Sequence, residues 1–181
     1  LLFDHIGGLN TLFHTLFNEG QVIIPYARNV SDIINDIDDY KVELLPTTPT
    51  FLRMLIMDGQ INLNRLKSLK IITYGSEMMD ENTLLRLNKL LPNVKFKQTY
   101  GMSEISILRV KSESNRSLWI KIDSDELKTK IIKKTLYIKP KIKMFGYLNH
   151  KSPFDKNGWY NTNDLVEQKE GYIKIVGRSK H

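Results

Sequence analysis

Along the first hundred residues the apolar positions switch repeatedly between a helical period and short unbroken runs. Leu9, Leu12, Phe13, Leu16 and Phe17 fall at helical spacing, with Gly20 as a stop. Gln21 to Tyr26 is a short apolar run and reads as a strand. Ser31 is placed to cap a helix whose Ile33, Ile34 and Ile37 face inward. Val42 to Leu45 predicts the next strand, ended by Pro46. Thr50 to Met57 returns to helical spacing through Leu52, Leu55 and Ile56, and Leu69 to Thr73 is a strand broken by Gly75. Asp80 caps a helix with a wide apolar face (Leu84, Leu85, Leu87, Leu90, Leu91) that stops at Pro92, and Val94 to Gln98 closes the series as a strand.

Strands and helices alternating at this spacing imply crossover units and a mostly parallel sheet with flanking helices. Beyond Glu104 the texture changes to short strands at Leu118–Ile122, Lys130–Ile132, Thr135–Ile138 and Tyr172–Val176. Asn157-Gly158 and Glu170-Gly171 are turn signals between them. The expected fold is therefore α/β over residues 1–108, followed by a small antiparallel, β-rich, barrel-like unit over 109–176.

Composition changes this picture little. A hydrophobic share of 41% and a charged share of 26% suit an ordinary globular chain, and 181 residues can bury a core without staples. The absence of cysteine excludes disulfides, thiolate nucleophiles and cysteine metal sites, and suits a cytoplasmic setting. No apolar run is long enough for a membrane span. The four histidines lie far apart, with no metal-ligand spacing. The formal charge of +7 is concentrated between Lys128 and Lys143. There Lys128, Lys130, Lys139, Lys141 and Lys143 alternate with apolar neighbours, as on the solvent face of antiparallel strands, and Tyr137 is expected to point inward.

Ligands of parallel sheets sit beyond the carboxyl ends of the strands. Two such ends carry glycine and polar residues: Tyr74-Gly75-Ser76-Glu77 and Tyr100-Gly101-Met102-Ser103-Glu104. In the second, Tyr100 offers a flat ring for a base and Gly101 a close backbone approach. Ser103 offers a hydroxyl for a phosphate oxygen, and Glu104 a hard oxygen ligand for Mg2+. The same segment would equally serve as a strand-ending turn with a solvated glutamate. Asp164, within Gly158 to Leu165, can accept hydrogen bonds from both hydroxyls of a ribose, although a turn aspartate has the same appearance. Arg178 follows another strand, Tyr172–Val176.

Together these segments resemble the adenylate-forming superfamily of acyl- and aryl-CoA synthetases, amino-acid-activating domains and luciferases. Tyr100-Gly101-Met102-Ser103-Glu104 corresponds to the family's YG.TE motif, Trp159 through Asp164 to W..TGD, and Gly177-Arg178-Ser179-Lys180 to the GR.K motif at an interdomain hinge. Phe3 through Leu9 resembles the FH..GL segment, and Thr73 through Glu77 sits where the family has its GGE turn. The resemblance spans essentially the whole chain. It implies activation of a carboxylic acid by ATP as an acyl-adenylate, with Mg2+, followed by transfer to the thiol of CoA. On that resemblance Gly75, Ser76 and Glu77 line the adenine, Tyr100 stacks on it beside Gly101, and Ser103 contacts the α-phosphate. Glu104 holds the metal, Asp164 and Arg178 bind the ribose, and Ile175 packs on the nucleotide. His5, Tyr74 and Met102 border the acid.

Three departures stand out: Ser103 for threonine, Tyr74 for the first glycine of GGE, and Asn163 for the glycine of TGD, where asparagine tolerates left-handed backbone. The resemblance places a Pro-Lys phosphate loop before Leu1 and a lysine-bearing small domain after His181. The expectation is that this chain alone binds nucleotide weakly and does not turn over. Two alternatives stay open: an amino-acid-activating domain, with Asp4 gripping the amine, and a non-catalytic domain that binds an anionic partner through its lysines.

Overall fold

The chain, described over residues 3–57, 63–123 and 125–179 by a computed structural model, begins with helices and a parallel sheet. Its order is α1 (Ile6–Phe17), α2 (Val30–Asp39), β1 (Leu44–Thr47), α3 (Pro49–Met57), β2 (Ile71–Tyr74), α4 (Glu81–Leu90) and β3 (Lys95–Gln98). The sheet runs β1-β2-β3, all parallel, with Thr47 opposite Tyr74 and Tyr74 opposite Gln98. Leu1, Leu2, Lys180 and His181, which figure in the sequence reading of the chain ends and the hinge motif, lie outside the described residues.

Local chemistry accounts for most helix starts. Asp80 accepts the Thr83 N–H at 2.8 Å and caps α4 as expected. α2 is capped by Asn29, whose Oδ1 takes the Asp32 N–H at 2.9 Å, and not by Ser31; Ser31 already lies inside the helix. α3 opens on Pro49, whose missing N–H would have had no helical partner there. Ile34, Ile37, Leu52, Leu55, Ile72, Leu84, Leu87 and Phe96 form the core between helices and sheet, whereas Leu85 stays half exposed.

Two strand expectations change here. Residues 21–26 belong to no strand, because a strand exists only where another backbone pairs with it. β1 starts two residues later than read and runs through Pro46; it is an edge strand, where proline is tolerated.

Beyond Gln98 the strands turn antiparallel. β4 (Tyr100–Met102) and β5 (Ser106–Leu108) form a short hairpin that the sequence did not announce. β6 (Val110–Ser112), β7 (Ile120–Ile122), β8 (Leu127–Ile132), β9 (Thr135–Pro140), β10 (Tyr160–Lys169) and β11 (Tyr172–Arg178) then build a curled six-stranded sheet, ordered β6-β7-β11-β10-β9-β8. β10 is the longest strand described, yet its polar Asn161-Thr162-Asn163-Asp164 stretch reads as a turn in sequence. Gly177 and Arg178 still belong to β11, so the strand extends into the expected hinge.

The Glu170-Gly171 turn joins β10 to β11 with positive φ at both residues (49° and 80°). Lys133 and Lys134 do the same between β8 and β9 (47° and 65°) without a glycine or asparagine to signal it. Lys128 and Lys139 stand opposite one another on the solvent face, as expected, but Lys141 and Lys143 follow the end of β9. Tyr137 faces outward, contrary to expectation, because Leu136 and Ile138 take the buried positions on either side. Lys130 lies 4.1 Å from the Trp159 ring centroid and 5.5 Å from that of Tyr137.

Candidate functional site

The carboxyl ends of the parallel strands open into a narrow cavity of about 50 Å3. Thr47 ends β1, Thr73, Gly75 and Ser76 come from the end of β2, and Thr99 and Gly101 follow β3. His5, Gly7, Asn10 and Thr11 close it from the start of α1, and Ile107 from β5. The slot thus gathers four of the residues singled out in sequence: His5, Gly75, Ser76 and Gly101. It also gathers Thr47, Thr73 and Thr99, which the sequence reading did not promote and whose common signal is a position at or beside the end of a parallel strand, together with Thr11 of α1.

The two glycines are fixed by close packing. A Cβ on Gly75 would lie 2.2 Å from Thr99 Oγ1, and one on Gly101 would lie 2.5 Å from the Ser106 carbonyl oxygen. Gly101 is therefore demanded by the β4–β5 hairpin behind it. Ser76 takes a left-handed φ of 67°, which turns the chain sharply after β2. His5 caps α1, its Nδ1 accepting the Gly7 N–H at 3.1 Å.

The second part of the site is a buried carboxylate. Asp164 is 5% exposed; it accepts the Tyr100 hydroxyl at 2.7 Å and the Arg178 Nε–H at 3.0 Å. Two register shifts bring it there. Between Asn161 and Leu165 the pairing of β10 with β9 slips, and Asn163 adopts a φ of 58°, the left-handed conformation expected of it. Thr162 donates to the Leu136 carbonyl at 2.8 Å and accepts the Asp164 N–H at 3.1 Å, fixing the irregular stretch. On the other side Asp164 pairs with Arg178 and Leu165 with Gly177, but Val166 pairs with Ile175, so Val176 is an extra residue. That bulge sets Arg178 opposite the carboxylate. Burial, then the Asp164 charge, raises the Tyr100 hydroxyl well above its ordinary pKa, and Asp164 raises that of Arg178.

Glu104 lies in the tip of the β4–β5 hairpin beside exposed Ser103. It accepts a hydrogen bond from the Tyr147 hydroxyl, which the Glu104 carboxylate raises above its ordinary pKa. Tyr160 is pushed up to about 12 by burial and then by Glu104; Arg178 acts on it in the opposite sense. Tyr160 thus senses both Glu104 and Arg178, and Tyr100 touches Asp164, so the Tyr100 and Trp159 motifs share one neighbourhood. Tyr147 was not singled out in sequence; its signal is the Gly146-Tyr147-Leu148 stretch in an otherwise exposed loop.

Other expected site residues fall elsewhere. Tyr74 is 2% exposed in the helix–sheet core, because β2 alternates and sends Ile72 and Tyr74 inward. Glu77 turns its carboxylate to α3, accepting the Thr50 N–H at 3.0 Å and the Thr50 hydroxyl. Met102 and Ile175 pack on the antiparallel core. The Tyr100 ring is buried in that same core at 7% exposure, and its visible partner is Asp164, leaving little face for a base. Among the described residues no group of three His, Cys, Asp or Glu could hold a metal. No described helix is long and apolar enough to cross a membrane.

A parallel sheet ending in a polar slot, joined to a curled antiparallel sheet that carries a clamped carboxylate, defines an α/β ligand-binding architecture of the strand-end type. The chain belongs to the AMP-binding enzyme family, whose model matches residues 1–126. It is 24% identical over 199 residues to 4-coumarate--CoA ligase-like 6 of Arabidopsis thaliana, covering 97% of this chain and 35% of that protein. It is 24% identical over 201 residues to 4-coumarate-CoA ligase 1 of Narcissus pseudonarcissus, covering 97% and 37%. Its fold is shared with apo MatB from Rhodopseudomonas palustris, with a TM-score of 0.80 at 20% identity over 97% of this chain and 38% of that one. The chain therefore spans little more than a third of the length of these relatives.

Proposed function

We propose that this chain is the part of an ATP-dependent acid–thiol ligase that holds the adenosine half of the nucleotide and one end of the acid. The acid's carboxylate oxygen attacks the α-phosphorus of ATP and pyrophosphate leaves. The sulfur of CoA then attacks the acyl carbonyl and AMP leaves. No enzyme nucleophile is needed, so the residues act by positioning and by stabilising charge.

The observation that carries this reading is the Asp164 carboxylate, fixed by Tyr100 and Arg178 in a family of AMP-binding enzymes. A clamped, buried carboxylate is suited to accept the two hydroxyls of a ribose, with Arg178 beside it. Tyr100 then acts as a positioning residue for Asp164. Gly75, Ser76 and the backbone of Glu77 border the adenine, Ser103 meets the α-phosphate, and Ile175 packs near the nucleotide. Mg2+, which supplies charge neutralisation on the polyphosphate, would be held by Glu104, a hard oxygen donor of the kind this ion takes singly alongside phosphate oxygens. His5 lines the slot and exposed Asp4 does not, which favours an acid without an amine over an amino-acid substrate.

The test is ATP–pyrophosphate exchange by the complete gene product with a panel of carboxylic acids, followed by CoA-dependent AMP release. Glu104→Ala and Asp164→Ala are each expected to lower exchange by about 100-fold or more. Exchange that survives both substitutions unchanged would reject the reading.

A further inference from the structure

Glu104 stands in the tip of the β4–β5 hairpin, yet what holds its carboxylate comes from distant parts of the chain. The Tyr147 hydroxyl donates to Glu104 Oε1 across 43 positions in sequence, and the Met144 N–H approaches the Glu104 carbonyl at 3.5 Å. Tyr160, at the start of β10, reaches the same carboxylate. Its ring is fixed by the antiparallel core and by Phe154, with centroids 5.6 Å apart. In the loop after β9, Ile142, Phe145 and Leu148 stand exposed, while Tyr147 turns back to the hairpin. Gly146 makes that reversal with a φ of 152°, and the His150 ring meets the Tyr147 ring edge-on at 6.2 Å. Two contacts to one residue, from a side chain and from the backbone, therefore tie this loop to the hairpin.

We infer that Tyr147 is a positioning residue for the Glu104 carboxylate, aiming it at the divalent cation that accompanies the nucleotide. The inference rests on the ligase reading above. Among the described residues no group of three metal-binding side chains exists, so Glu104 would share the ion with phosphate oxygens and water. Mg2+ takes its ligands at about 2.0–2.1 Å in near-ideal octahedral geometry, so a glutamate without protein neighbours on the ion has to be aimed. A glutamate side chain is long and flexible and loses much freedom when it is fixed. The Tyr147 hydroxyl fixes it in advance, and it uses one lone pair of a carboxylate that offers about four. The rest stay open to a cation. Tyr160, which also feels the Arg178 charge, sets the same carboxylate beside the Asp164–Arg178 pair.

The experiment uses the complete gene product as wild type, Tyr147→Phe, Gly146→Ala, Tyr137→Phe and Glu104→Gln. Binding of Mn2+ together with the α,β-methylene analogue of ATP is read by electron paramagnetic resonance, and the Mg2+ dependence of ATP–pyrophosphate exchange is read alongside. Tyr147→Phe is expected to raise the Mn2+ Kd and the half-saturating Mg2+ concentration by about tenfold or more, the scale for losing the outer partner of a metal ligand. Its kcat at saturating Mg2+ should fall by less, about threefold at most, because enough ion restores the occupied carboxylate. Gly146→Ala keeps the hydroxyl but disfavours the φ that returns Tyr147 to the hairpin, and should move the Mn2+ Kd the same way. Tyr137→Phe, which removes an outward-facing hydroxyl, should move neither constant. A Tyr147→Phe protein that melts earlier yet keeps the wild-type Mn2+ Kd, with exchange intact, shows only a loop anchor; it overturns the positioning role and leaves the ligase reading standing. Mn2+ binding that Tyr147→Phe and Glu104→Gln both weaken, with no acid activated by any form, keeps the positioning role and overturns the ligase reading. Neither exchange nor any change in Mn2+ binding overturns both.

Discussion

The hydroxyl of Tyr100 donates to Asp164 at 2.7 Å, joining residues 64 positions apart in sequence and two different sheets. Removing that hydroxyl leaves a buried carboxylate one donor short. Tyr100→Phe is expected to lower stability by about 1.5–3 kcal/mol, the range for hydrogen bonds to charged groups, as measured by urea denaturation. A loss no larger than that of an exposed tyrosine, with Tyr26→Phe as reference, would mean that Arg178 alone holds the carboxylate.

Two glycines of the slot should respond unequally to alanine. At Gly101 the new Cβ meets backbone, the Ser106 oxygen at 2.5 Å and Ile107 Cα at 2.6 Å, so the hairpin itself must open. At Gly75 the nearest atom is the side-chain oxygen of Thr99, which can rotate, although the Thr99 carbonyl stays at 2.9 Å. Both substitutions are expected to fall in the range of about 1–3 kcal/mol known for overpacking, with Gly101→Ala the larger. Thermal melts that reverse this order would place the clash elsewhere.

Asn163 sits at a φ of 58° between Asp164 and Thr162, whose hydroxyl accepts the Asp164 N–H. Asn163→Gly should be nearly neutral. Asn163→Val should cost about 1–2 kcal/mol, because the branched side chain crowds its own backbone in the left-handed region. The comparison is read by chemical denaturation of the two variants side by side.

The cap of α4 gives a pH signature. The Thr83 N–H, which Asp80 accepts, holds the Asp80 carboxyl below its ordinary value of 3.8, with smaller help from the Thr83 hydroxyl and Arg53. A depressed folded pKa means the stabilisation is present above that ordinary value and disappears as pH falls through the lower folded value. Asp80→Asn keeps a capping oxygen but does not titrate. Wild type should therefore exceed Asp80→Asn by up to about 1 kcal/mol at neutral pH, and the margin should close on acidification below 3.8. A margin that is constant from neutral pH to about pH 2.5 would contradict the assignment.

The basic sheet face should bind polyanions only non-specifically. Lys130 is engaged over Trp159 and Lys143 lies 4.8 Å from the centroid of the Phe154 ring, so those two rings are engaged by cations, and the exposed Phe145 is a lone stacking surface beside them. Single-stranded nucleic acid, which relies on free aromatic faces for stacking, should bind at low salt and be released steeply as ionic strength rises. Filter binding that persists near physiological salt and drops with Lys139→Glu/Lys141→Glu would instead mark a specific anionic partner.

Helices and strands up to Gln98 were legible because each carries its own signal: a cap such as Asp80, a stop such as Pro92, or an apolar run of strand length. The family motifs around Tyr100, Asp164 and Arg178 were legible as words. Their arrangement was not. Asp164 reads as a turn residue because Asn, Thr and Asp favour turns, and only pairing on both sides, with a slip against β9 and a bulge against β11, makes it a strand residue facing Tyr100 and Arg178. Residues 21–26 show the converse: the apolar run was visible, but strand identity depends on a pairing partner that composition does not specify. Tyr74 and Tyr137 were misplaced because alternation gives a two-residue period without saying which phase faces the core.

The sequence by itself determined the α/β order, the Asp80 cap, the left-handed Asn163 and the motif residues that name the family, since all of these follow from neighbouring residues. Only the tertiary structure decided that Tyr100 serves Asp164, that Glu77 serves α3, and that Thr11 of α1 meets Thr47, Thr73 and Thr99 beside the strand ends. Those relationships join elements far apart in the chain, and their energies depend on register and burial, which local patterning does not encode.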